Sequence, residues 1–155
     1  MSEILASIRP DEQNPALLLH VLGAMILVGG LLTGASALAL ARGNAGNLRL
    51  GYWSLLALAL PGWILMRVGA QWIYSEQGWD ALPDDVDEPA WLAIGYIVAD
   101  AGGLVLVISL ITGGIGVRRL KAGGGSGLLK ATVILALVLL AAYVVAAWAM
   151  AGKPD

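Results

Sequence analysis

Four uninterrupted apolar runs, at about 15–41, 50–74, 90–117 and 128–151, constrain this chain more than any motif in it. Each exceeds the ~20 residues that an α-helix needs to cross ~30 Å of hydrocarbon. Within hydrocarbon a backbone must satisfy its own hydrogen bonds, so a lone apolar run of this length is a helix. Together the runs use most of the 155 residues and leave no room for a separate soluble domain. The expected fold class is an all-α membrane protein: a single transmembrane domain over residues 1–155, built as a four-transmembrane-helix bundle. Composition agrees, with 59% hydrophobic and 13% charged residues, against about 45–50% and about 25% for a soluble domain. The first run is expected to be a retained span, because its leader carries Glu3, Asp11 and Glu12 against Arg9, where a cleaved signal peptide has a positive leader and a shorter apolar core.

The charges between the runs alternate. The first connection holds Arg42 and Arg49 and no acid. The second, an acidic loop over 75–89, holds Glu76, Asp80, Asp84, Asp85, Asp87 and Glu88 and no base. The third holds Arg118, Arg119 and Lys121, with Lys130 just beyond. Lys and Arg mark the cytoplasmic side of a membrane protein. The expected topology is therefore multi-pass in a bacterial-type inner (plasma) membrane, with both termini and the acidic loop outside. Pro89 suits the first turn of span three, and Pro61, inside span two beside Gly62, removes a backbone hydrogen bond and predicts a bend near mid-bilayer.

A weak internal repeat suggests two tandem helical hairpins. Gly29-Gly30-Leu31 resembles Gly102-Gly103-Leu104, and Trp72 and Arg67 fall in register with Trp148 and Tyr143. Parallel repeats of this kind occur in transporters; chance matching among helices built from few residue types gives the same pattern. Small residues line single faces, with Gly23, Gly30, Gly34 and Ala41 on span one and Gly95, Ala99 and Gly103 on span three. Such rows let helix backbones approach closely, either within the chain or across a homodimer.

Arg67 and Asp100 are the charged residues deep in consecutive spans. A charge at the bilayer centre costs roughly 2.5–3.5 kcal/mol on insertion scales, so it takes a partner or a task. Counting from the acidic-loop end, Arg67 lies ~12 Å deep, Asp100 ~15 Å and His20 ~8 Å. Gln71 and Tyr96 lie one turn nearer the surface than Arg67 and Asp100. A polar cluster of His20, Arg67, Gln71, Tyr96 and Asp100, with Trp63 packed against it, is the candidate site for binding a ligand or relaying a proton or ion. The alternative for Arg67 and Asp100 is a buried salt bridge that pins span two to span three.

His20 is the single histidine. Haem iron takes His, Met, Cys or Tyr axially, and Met25, Met66 and Met150 fall in the same half of the bundle, so His/Met ligation of haem or copper is an open alternative. The chain has no cysteine, which excludes disulfides and thiolate sites. The acidic loop lacks a regular calcium-binding pattern. A net charge of −2 offers no clustered basic face for nucleic acid. No nucleophile–base triad, phosphate loop or zinc helix is present, and the reading leans away from an enzyme.

The segment Leu19-His20-Val21-Leu22-Gly23-Ala24, followed by Val28-Gly29-Gly30, resembles the first helix of a group of small bacterial four-helix integral membrane proteins of unknown function. Those are distantly similar to the copper-resistance D proteins and to the bacterial membrane protoporphyrinogen oxidases. The resemblance implies a helical membrane bundle in which His20 stands where a cofactor ligand is suspected. The oxidase family also relies on a lysine, whereas the lysine within a span here, Lys130, lies at the opposite end from His20. Three functions follow as expectations. The first is transport or handling of a small solute or ion through a buried polar cluster in the outer half. The second is a haem- or copper-binding redox or carrier protein using His20. The third is an accessory subunit docked in a larger membrane complex.

Overall fold

The computed structural model describes residues 14–81, 83 and 89–152. The leader, the C-terminal three residues and four of the six loop carboxylates (Asp84, Asp85, Asp87 and Glu88) lie outside the described residues. The described chain is all-helical: α1 (Asn14–Ala39), α2 (Ala45–Ser54), a π-helical turn (Leu55–Ala59), α3 (Leu60–Glu76), a short 3-10 turn (Trp79–Ala81), α4 (Ala90–Lys121) and α5 (Gly127–Gly152). Continuous helix from Ala45 to Glu76 makes α2, the π turn and α3 one span, so four helices are long and apolar enough to cross a membrane. This is the architecture of a multi-pass membrane protein.

Two connections differ from the sequence reading, and both differences lengthen helices at the basic end. Asn44 caps α2, its side chain accepting from the Gly46 and Asn47 amides at 2.8 and 3.2 Å, which satisfies orphan amides of the first turn. Span two therefore begins at Ala45, and Arg49 lies on the helix rather than in a connection. Span three runs to Lys121, carrying Arg118 and Arg119 with it. It stops because Gly123 takes a left-handed φ of 79°, and the Gly123 and Gly124 amides return to the Leu120 and Arg119 carbonyls. That is the glycine-terminated helix end seen where a residue with a Cβ would be strained. Spans two and three are each 32 residues long, or ~48 Å, and so overreach a ~30 Å hydrocarbon core. Pro89 sits just before the first helical residue, where its carbonyl accepts from the Leu92 and Ala93 amides.

Just before Pro61 the helix widens into a π turn, in which the Leu60 amide bonds the Leu55 carbonyl. Widening the turn is one way a helix accommodates an interrupted ladder.

Span one packs along span two on one side and span four on the other, and span three pairs with span four. Of the four neighbouring pairs, spans two and three touch least. The small-residue row of span one is used inside the chain. A Cβ on Gly23 or Gly30 would collide with the backbone of span two at Met66 or Ala59, and one on Gly34 would meet Leu55. On span three, Gly95 lies under Met150, and Gly103 under Trp63. The repeat is mirrored in part: span one pairs with span two and span three with span four, but Gly29 is exposed with nothing near it, whereas its counterpart Gly102 is buried under Tyr143. One core joins all four spans through Leu27 and Leu31, Leu55 and Ala59, Leu106, and Ala136 and Leu139. Thr112 and Thr132 share a hydrogen bond at 2.9 Å, a polar link between spans three and four of the kind that holds helices together where lipid gives no hydrophobic drive.

Candidate functional site

The weakest seam of the bundle, between spans two and three, carries the ion pair. Arg67 Nε donates to Asp100 Oδ1 at 2.7 Å. Arg67 Nη1 donates to Gln71 Oε1 at 3.0 Å, one turn along the same helix. The guanidinium also lies 4.8 Å from the centroid of the Tyr96 ring, a favourable placement for a cation over an aromatic face. The Tyr96 hydroxyl donates to the Ala70 carbonyl at 3.4 Å, and its ring meets Tyr74 edge-on with centroids 5.2 Å apart. One turn deeper, Trp63 Nε1 donates to the Ala99 carbonyl at 2.8 Å. Arg67, Asp100, Gln71, Tyr96 and Trp63 thus stand together, and each contact but the Arg67–Gln71 bond crosses the seam.

The cluster is not buried, which corrects the reading from sequence. Asp100 is 58% exposed at its side chain and Arg67 26%, and Gln71 is exposed. Because spans two and three touch so little, no helix closes over the carboxylate. Its second oxygen, Oδ2, makes no hydrogen bond to the described residues. Arg67 has three anchors: the carboxylate, an amide oxygen and an aromatic face. Removing the carboxylate would still leave it the other two. An arrangement of this kind can hold a cation or proton on Asp100 while Arg67 stays in place.

His20 lies on a different seam, between spans one and two. Its Nδ1 is 2.9 Å from the Met66 carbonyl. Since a carbonyl only accepts, Nδ1 carries a proton, and in the neutral imidazole the lone pair is then on Nε2. That is the tautomer of a histidine prepared to ligate a metal. The proposed sulfur partners are dispersed. Met25 is 68% exposed, Met150 covers Gly95 of span three, and Met66 is buried and reaches His20 through its carbonyl oxygen. Among the described residues no group of three or more His, Asp or Glu could hold a metal ion. The described residues therefore offer a cofactor a single imidazole.

The sequence reading missed a second feature of the same seam. At the basic end spans two and three enclose an open groove of about 770 Å³, with Arg49, Arg118 and Lys121 at its mouth. The signal for it was the cap at Asn44, which carries Arg49 onto the helix.

Comparison with protein-family models, with curated proteins and with solved structures returns no match.

Proposed function

We propose that this protein handles a proton or small cation at the acidic-loop end of the seam between spans two and three, with Asp100 as the group that receives it. The observation that carries this reading is the ion pair itself: a carboxylate set within a membrane span, held on one oxygen by Arg67 and open on the other. Ionisable residues within spans line ion pathways and proton relays. The arriving cation competes with Arg67 for Asp100, and Gln71 and Tyr96 hold the guanidinium during the exchange. The basic connections face the cytoplasm, so the site opens to the outside of a bacterial-type inner membrane.

Reconstitution tests it. Liposomes carrying the chain and an internal pH dye are driven by a potassium diffusion potential, with sodium or potassium as the other permeant cation. Flux above that of empty liposomes, lost in Asp100→Asn and altered in Arg67→Lys, supports the reading. Flux equal to that of empty liposomes, or equal in wild type and Asp100→Asn, refutes it.

A second reading is favoured by the His20 tautomer. The free Nε2 is a ligand position, and the resemblance of the first helix to cofactor-associated bundles points the same way. A second axial ligand would come from another copy or another subunit. The optical spectrum of gently purified protein, before and after dithionite, tests it: a Soret band that shifts on reduction and vanishes in His20→Ala supports haem, and a featureless spectrum removes it.

A further inference from the structure

The groove at the basic end belongs to neither reading, and its chemistry is specific. We infer that it is a binding site for one anionic phospholipid, with the headgroup phosphate between Arg49, Arg118 and Lys121 and an acyl chain laid between spans two and three. Three observations converge on this occupant. The first is charge: the stretches 40–60 and 105–140, which build this end, contain no Asp or Glu. None of the three cations has a carboxylate partner among the described residues, although three fixed positive charges at one mouth repel each other. The mouth is complementary in charge to an anion.

The second is shape. The floor of the groove is apolar, lined by Leu60, Val107, Leu110 and Ile111. Leu60 lies eleven residues beyond Arg49, and Val107 eleven before Arg118, so the groove runs ~16 Å inward from its charged mouth. That is about half of a ~30 Å hydrocarbon core, the reach of one leaflet. A free phosphate would fill the mouth and leave the floor bare; an acyl chain fills both. The third is packing. Tyr52 lies against Gly113 and Gly114, and spans two and three make few other contacts along this seam. Basic pockets between spans on the cytoplasmic side are known to take anionic lipid headgroups.

Native mass spectrometry of the intact chain, released from mixed phosphatidylglycerol and phosphatidylcholine nanodiscs, tests the inference. Two triple variants carry equal charge changes: Arg49→Gln, Arg118→Gln and Lys121→Gln at the groove, and Arg42→Gln, Arg119→Gln and Lys130→Gln away from it. The expected result is one retained phosphatidylglycerol in wild type and in the distal variant. In the groove variant, retention falls on the order of a hundredfold, from three lost cation contacts. Ile111→Trp, which fills the groove and keeps every charge, loses the lipid too. Equal retention of phosphatidylcholine, equal loss in both triple variants, or a two-chain species in place of bound lipid would overturn it.

Discussion

Arg67 Nε and Asp100 Oδ1 are 2.7 Å apart, and they join the two neighbouring spans that otherwise touch least. The pair clamps the seam together with the Trp63–Ala99 and Tyr96–Ala70 hydrogen bonds. Groups in direct contact show coupling energies of about 0.5–3 kcal/mol in double-mutant cycles. Arg67→Gln and Asp100→Asn, alone and together, are expected to fall in that range when unfolding in mixed micelles is followed by far-ultraviolet circular dichroism. Additive effects would mean that the contact contributes nothing to stability.

Glycines on the face between spans one and two are expected to be intolerant. A Cβ on Gly69 would lie against the backbone of His20, and one on Gly62 against that of Leu27; backbone cannot rotate away as a side chain can. Gly62→Ala and Gly69→Ala should each cost about 1–3 kcal/mol, the usual penalty of overpacking. Gly29→Ala faces open space and should stay within about 0.5 kcal/mol of wild type. Unfolding midpoints of the three variants in one detergent series give the comparison.

Tyr143 predicts the opposite sign. Its hydroxyl is buried, lies against Gly102 and has no hydrogen-bond partner among the described residues. An unsatisfied buried polar group costs about 1–3 kcal/mol, so Tyr143→Phe should leave stability unchanged or raise it. A loss greater than about 1 kcal/mol would show that the hydroxyl has a partner in the membrane.

The His20 bond to Met66 predicts a separation between packing and ligation. His20→Asn keeps a side-chain donor for the Met66 carbonyl and removes the imidazole, so it should keep most of the stability that His20→Ala loses, about 0.5–1.5 kcal/mol for one hydrogen bond. Thermal denaturation of both variants in the same detergent reads this directly.

The spans and the ion pair were legible in the sequence because both depend on position along a helix axis. Run length sets whether a helix can cross, and residue count sets depth; Arg67 and Asp100, at ~12 and ~15 Å by counting, do meet. Angle around the axis was legible only where small residues marked it, as in the glycine row of span one that packs on span two. Hydrophobicity does not supply it, because inward and outward positions of these spans are both mostly apolar. Hence Asp100 reads as buried from its neighbours and proves exposed, and Gly29 and Gly102 read as equivalent and prove opposite. The helix ends escaped for another reason. Arg49, Arg118 and Lys121 read as loop charges under the positive-inside rule, but the Asn44 cap and the Gly123 stop place them on helices, and only there can they surround a groove.

On the proposed function, water reaches the seam beside Asp100 from the acidic-loop end. The chain has no cysteine, so single substitutions report without background. Gln71→Cys, Asp100→Cys and Val144→Cys, the last exposed on span four, are reconstituted and treated with a membrane-impermeant maleimide. Rapid labelling is expected at positions 71 and 100 and little at 144. Labelling at 100 no faster than at 144 would place Asp100 against lipid or protein and rule out its access to water.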